Sequence, residues 1–212
     1  MPRLSRKEQQ AHTRRCLMQS AAKVFAHRGL QQASIDEVAQ DAGYTKGAFY
    51  ANFKSKEELF LAMLDERFEQ KIRELEAIMA RGGTLQDQAR AAGSEFTEYL
   101  AADPEWQRLF FEFAAYAARN EEFRQELTTR YRSLRERIAE LFRRRAAELG
   151  MHPPIPAEHI ALMTFAMANG FALERLLEPE ATPDDLHGTM LAVFFTGLHA
   201  MSTEGAAGRS RG

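Results

Sequence analysis

Cys16 is the sole cysteine among 212 residues, so the chain can form no intrachain disulfide and no cysteine-built zinc site, and it suits a reducing compartment. Cys16 itself reads as an ordinary helix residue. His12, His27, His152, His159, His187 and His199 are scattered, and no Glu-x-x-His pair occurs, the spacing a di-iron helical bundle needs. A glycine-rich phosphate loop, a nucleophile elbow and a paired catalytic motif are missing too. Neither an enzyme nor a bound metal or cofactor is expected, a helical-bundle enzyme being the rival class these absences count against. No uncharged apolar run reaches the roughly 20 residues that span a bilayer, and the longest, Gly188 to Met201, contains His199. Met1-Pro-Arg-Leu-Ser-Arg-Lys-Glu lacks the apolar centre of a secretory signal. The expectation is a cytoplasmic protein with no membrane partner.

The net charge of -2 hides an asymmetry. Residues 1 to 60 hold 10 Lys and Arg against 6 Asp and Glu, and the remainder holds 18 against 24. A basic end on an acidic protein fits one end meeting a polyanion, with uneven solvated charge as the bland alternative.

Sustained apolar-polar alternation is absent, whereas apolar residues at helical spacing fill nearly every segment, so the fold class is all-α with about nine helices. A first helix runs from about Glu8 to His27 and stops at Gly29. Ser34-Ile-Asp-Glu37 is a capping box that opens a short helix ending at Gly43. Thr45 caps a third, Lys46 to Asn52, and Ser55-Lys-Glu-Glu58 opens a long fourth that Gly82-Gly83 breaks. Further caps predict helices over about Leu85 to Ala101, Pro104 to Ala118, Glu121 to Leu149, Pro156 to Glu178 and Pro183 to Met201. The expected domains are a helix-turn-helix over 1–54, a connecting helix over 55–83, a ligand-binding and dimerisation domain over 84–203, and a flexible tail over 204–212.

Two short helices joined by a glycine turn, Ser34 to Gly43 and Thr45 to Phe53, fit a helix-turn-helix whose second helix enters the DNA major groove. Val38, Ala39, Phe49 and Phe53 are candidate core. That leaves Thr45, Lys46, Gly47, Ala48, Tyr50 and Ala51 as a small and polar surface able to approach base edges, while Ser34 can donate to a phosphate. Thr45 is first of all a cap, and Lys46 also fits a solvated lysine. Arg3, Arg6, Lys7, Arg14 and Arg15 form a basic arm that either reaches phosphates or is a solvated tail.

Gly43-Tyr-Thr-Lys-Gly-Ala-Phe-Tyr-Ala-Asn-Phe-Lys-Ser-Lys-Glu-Glu-Leu59, with Ala21-Ala-Lys-Val-Phe-Ala-His-Arg-Gly29 and Ser34-Ile-Asp-Glu-Val-Ala39 upstream, resembles the tetracycline-repressor (TetR) family. The resemblance covers about residues 10 to 65. It implies that Lys46 and Gly47 lie against bases and that Tyr50 and Lys54 contact phosphate. Ser34 stands where the family more often has threonine, Thr45 where it more often has serine, and Ala51-Asn52 replaces a bulkier pair, so the operator sequence does not carry over. The resemblance further implies a homodimer on double-stranded operator DNA, most simply a repressor released by a small-molecule effector, with an activator of the same fold as the alternative.

Nine aromatics lie within the 36 positions from Phe96 to Tyr131, more than a core helix needs, although an aromatic stripe is also what plain core looks like. Phe96, Tyr99, Trp106, Phe110, Phe113, Tyr116, Phe165 and Asn169 are the candidate lining of a mainly apolar effector pocket. The final two helices are apolar around much of their circumference and are the candidate dimer interface, as a four-helix bundle. Arg143-Arg-Arg145 near a helix C-terminus is a solvated, dipole-matched end.

Overall fold

The computed structural model describes residues 5–209, and side chains as far as Thr203. Among the described residues there are nine α-helices, one short 3-10 turn and no strand: α1 Arg6–Arg28, α2 Ile35–Asp41, α3 Lys46–Tyr50, α4 Lys56–Ala80, α5 Leu85–Ala102, α6 Pro104–Ala117, α7 Glu121–Glu148, α8 Ala157–Leu177 and α9 Leu186–Arg209.

Local chemistry sets the starts. Ser5, Ser34 and Thr84 each take part in a full capping box, with Glu8, Glu37 and Asp87, so two orphan backbone donors are satisfied at each helix start. The box at Ser5 opens α1 two residues before the expected Glu8 and draws Arg6 and Lys7 into the first turn; Arg3 lies outside the described residues. At α4 the reciprocal arrangement is altered, because the Glu58 carboxylate accepts from the Lys54 N–H at 2.7 Å while the Glu58 N–H donates to Ser55 Oγ at 3.2 Å. α9 continues to Arg209 through part of the segment expected to be a flexible tail, since extending an existing helix costs far less than nucleating one; residues 210–212 lie outside the described residues.

Packing divides the chain differently from the linear domains. One unit comprises residues up to Phe68 together with Glu105–Thr128, and the other comprises Glu69–Pro104 with the chain from Thr129 onward. α6 and the start of α7 therefore belong with the helix-turn-helix.

In the first unit Leu17, Phe25, Val38, Phe49, Phe53 and Phe60 are fully buried. Phe60 stacks on Phe113 at 3.5 Å between centroids and on Trp106 at 5.4 Å, and Phe25 meets the edge of Phe113 at 6.2 Å. Polar ties fasten the α1–α2 loop to the same core. The Leu30 N–H donates to Glu112 at 2.7 Å, and Lys56 Nζ donates to the Leu30 and Ala33 carbonyls, each at 2.7 Å.

In the second unit α5 packs along α9. The crossing point is Gly93 against Gly188, where a Cβ on Gly93 would stand 2.2 Å from the Gly188 Cα. Tyr131 meets Phe165 edge-on at 4.9 Å, and Phe142 meets Phe195 at 5.3 Å. α8 is long and apolar enough, by length and composition, to cross a membrane, a run the expectation of no such segment passed over. Its exposed face carries Leu162, Met163, Leu173 and Leu177, and α9 adds Val193 and Met201.

Candidate nucleic-acid interface and effector-binding unit

Gly43 at φ 75° makes the turn between α2 and α3, a left-handed conformation that glycine adopts without steric cost. The following Tyr44 N–H bonds back to the Ala39 carbonyl at 2.8 Å. Thr45 Oγ1 then accepts from the Ala48 N–H at 3.2 Å and starts α3. Phe49 and Phe53 are buried, at 0% and 1% exposure, which turns Lys46, Gly47, Tyr50 and Ala51 outward, with Ala48 half-buried. Ser34 and Lys54 are also exposed. Apart from the half-buried Ala48, the residues named from the sequence as DNA contacts thus lie on the exposed side of the helix-turn-helix, a small and polar surface of the kind that enters a major groove.

Three features of that surface were not readable from the sequence. Lys46 Nζ is bonded to Asp36 Oδ2 of α2 at 2.9 Å, and the hydrogen bond and charge of Asp36 raise the lysine pKa further above its ordinary value. Ser34 Oγ lies 3.0 Å from Glu37 Oε2 and accepts the Glu37 N–H at 3.1 Å, so a phosphate must compete with Glu37 for the hydroxyl proton. Arg14, read as part of a basic arm, instead donates to the Asn52 carbonyl at 2.9 Å and sits 4.1 Å over the Phe53 ring, where it satisfies a carbonyl at the end of the recognition helix and covers its core side.

The eight aromatic and polar residues expected to line an effector pocket are shared between the units. Trp106 and Phe113, at 5% and 0% exposure, are core of the first unit, packed on Phe60. Phe110 meets Phe111 edge-on at 5.5 Å, and the Tyr116 hydroxyl lies 3.3 Å from Glu57 Oε1 and accepts from Asn120 at 3.0 Å, with burial and then the Glu57 charge raising its pKa. Helical spacing correctly marked α6 as buried on one face. It could not say that this face meets Phe25 and Phe60. Phe96, Tyr99, Phe165 and Asn169 are half-buried residues of the second unit.

His187, which sequence reasoning left among the scattered histidines, stands in that second unit with its ring 4.8 Å from Phe96 and 5.1 Å from Phe171. Burial, and then the Lys71 charge, lower its pKa from 6.5 to about 4, so the ring is neutral at physiological pH. The unfolded chain takes up this proton near the ordinary histidine pKa and the folded chain only near 4, so stability present above that window is lost as pH falls through it. Melting temperatures at pH 7 and pH 5 are expected to differ less in His187→Phe than in the unaltered protein. An equal difference in both would show that His187 is not the group responsible. A cleft of about 310 Å³ reaches Phe171, lined by Met167, Leu186 and Met190 on its apolar side and by Glu174, Glu178 and Thr182 on its polar side.

Fold and surface together define a helix-turn-helix DNA-binding regulator with a separate helical unit. Residues 17–63 match the model of the bacterial regulatory proteins of the tetR family, and residues 85–200 match the C-terminal model of BetI-type transcriptional repressors. The chain belongs to the TetR family, whose members are transcriptional regulators and not enzymes. It is 25% identical over 174 residues to the transcriptional regulator YfiR of Bacillus subtilis, covering 79% of this chain and 82% of that protein. It is 32% identical over 96 residues to the transcriptional activator FasR of Mycolicibacterium smegmatis, 45% of this chain and 44% of that protein, so the match spans less than half of that relative. The structure of FadR from Bacillus subtilis in complex with stearoyl-CoA superposes with a TM-score of 0.72 at 16% identity, covering 88% of this chain and 98% of that one.

Proposed function

We propose that the protein is a cytoplasmic, sequence-specific repressor that binds a two-fold operator as a homodimer and leaves it when a small, mainly apolar effector occupies its second unit. The observation that carries the DNA-binding part is the division of α3 between a buried side, Phe49 and Phe53, and an outward side, Lys46, Gly47, Tyr50 and Ala51. Lys46 and Gly47 face bases, with Thr45, Ala48 and Ala51 beside them, while Ser34, Tyr50 and Lys54 hold the backbone. Lys46→Ala is expected to lose about 1 to 3 kcal/mol of discrimination at one base pair, and Tyr50→Ala to weaken all sequences alike. Anisotropy titrations on the selected operator and on a scrambled duplex check this, and unchanged affinity in both variants removes α3 from the interface.

The homodimer is assigned to α8 and α9, whose exposed Leu162, Leu177, Val193 and Met201 need cover that a second copy supplies as a four-helix bundle. A membrane is not assigned to α8, because this apolar face belongs to a family of DNA-binding regulators. Two α3 helices related by the dimer axis would then meet half-sites about 34 to 36 Å apart or a multiple of that. Native mass spectrometry at micromolar concentration tests the assembly, a monomer counting against it.

Effector binding is assigned to the second unit, with Phe96, Tyr99, Phe165 and Asn169 as its aromatic and polar lining; Trp106, Phe110, Phe113 and Tyr116 act through the packing of the first unit. The FadR complex with stearoyl-CoA, whose acyl chain is long and apolar, supports a ligand with an apolar part for this fold. α4 runs unbroken from the first unit into the second, so a ligand preferring one tilt of α4 shifts the DNA-competent population, by about 1 to 3 kcal/mol for a typical allosteric pair. Activation is the second reading, favoured by the match to the activator FasR. Deleting the gene and measuring transcripts near its operators separates the two: transcripts rise for a repressor and fall for an activator.

A further inference from the structure

Cations on a DNA-binding surface usually serve the phosphates, which attract every positive charge alike and carry no sequence information. Lys46 is not free to do so. Across the turn at Gly43, its Nζ donates to Asp36 Oδ2 of α2 at 2.9 Å. The two side chains are 54% and 63% exposed, so the pair stands at the surface, beside the outward-facing Gly47, Tyr50 and Ala51.

Stability does not account for this pair, because an exposed ion pair contributes little to folding. Nor does capping. The cap of α2 uses Glu37, whose carboxylate accepts from the Ser34 N–H at 2.9 Å and faces Arg28 at 3.2 Å. Phosphate binding does not account for it either, since the Asp36 carboxylate cancels the lysine charge and itself repels phosphate.

The hydrogen-bonding capacity of the pair matches one kind of base pair. Across the major groove a G·C pair presents acceptor, acceptor and donor, namely guanine N7 and O6 and then cytosine N4. An A·T pair presents acceptor, donor and acceptor, which separates the two acceptors. An ammonium has three hydrogens, of which Asp36 takes one, and a carboxylate can accept further bonds beside the one it receives from Lys46. Two adjacent acceptors next to a donor are what the pair lacks. Gly47, next along α3, has no side chain to hold a base edge away.

We propose that Lys46 and Asp36 read a G·C pair of the operator together, with Lys46 donating to guanine O6 and N7 and Asp36 accepting from the N4 amino group of the paired cytosine. Asp36 also holds the ammonium back from phosphates and so weakens binding to unrelated DNA. This rests on the DNA-binding reading above and names the base pair that Lys46 reads.

The test uses the full-length protein with Lys46→Ala, Asp36→Ala and the two changes combined. Anisotropy titrations use the operator that the unaltered protein selects from a random duplex library, its single base-pair substitutions and a scrambled duplex, at several salt concentrations. Lys46→Ala is expected to relax discrimination at one pair, a G·C. Asp36→Ala should relax the same pair by about tenfold, and the combined variant should be no worse there than either change alone. On the scrambled duplex Asp36→Ala should bind several-fold more tightly, with a salt slope steeper by about 1, as Lys46 becomes free for a phosphate. Its melting temperature should stay near that of the unaltered protein.

Full discrimination by Asp36→Ala at the pair that Lys46→Ala relaxes, or relaxation at a different pair, overturns the joint reading and leaves Lys46 as a base contact. An A·T preference at that pair does the same. Unchanged affinity and salt slope on the scrambled duplex overturn the restraint of Lys46, and a several-degree fall in the melting temperature of Asp36→Ala overturns the inference by making the pair structural. If Lys46→Ala relaxes no pair, the base contact of Lys46 falls together with the joint reading, and failure of the unaltered protein to select any operator removes the DNA-binding reading itself.

Discussion

Phe60→Ala is expected to destabilise the first unit by about 3 to 5 kcal/mol, the usual cost of truncating a buried aromatic to alanine. Phe60 is fully buried and its ring touches three others, Phe113, Trp106 and Phe123, so no single neighbour can rotate to fill the space. Operator binding should fall with stability, because the same core carries Phe25 of α1 and holds the α1–α2 loop through Glu112. Chemical denaturation followed by the fluorescence of Trp106, the only tryptophan, reads this directly. A loss below about 1 kcal/mol, typical of a surface site, would mean that the Phe60 cluster is not the core of the unit.

Gly93→Ala is expected to destabilise the second unit by about 3 kcal/mol, at the upper end of the cost of overpacking. The added Cβ would lie 2.2 Å from the Gly188 Cα, 2.3 Å from its nitrogen and 2.9 Å from the His187 carbonyl carbon. All three are backbone atoms. Relief therefore requires α5 and α9 to separate, with no side-chain rotation available. Gly188→Ala should cost less, since its nearest neighbour is the Arg90 carbonyl oxygen at 3.1 Å. Denaturation of the two variants side by side checks the ranking, and a milder effect at Gly93 than at Gly188 would contradict this crossing.

Most of the helix starts were legible because they depend on residues three apart. Ser34 with Glu37 and Thr84 with Asp87 make the bonds their spacing implies, and Gly43 makes the turn expected of it. The DNA-facing side of α3 was legible for a similar reason: one helical turn separates Phe49 from Phe53, and once both are buried the remaining positions face outward. Periodicity failed on α6. Trp106, Phe113 and Tyr116 repeat at helical spacing, which identifies a buried face but not its partner, and the partner turned out to be Phe60 of α4.

The sequence alone determined the all-α class, the short helices of the DNA-reading head and the residues displayed on α3, since each follows from hydrogen bonds and spacings within a few positions. Only the tertiary structure decided which helices share a core, that Lys46 is paired with Asp36, that Arg14 closes the recognition helix, and that the His187 ring is buried between Phe96 and Phe171. Those facts depend on contacts between residues 10 to more than 80 positions apart. Such contacts are set by how whole helix faces fit together, and no local propensity encodes that fit.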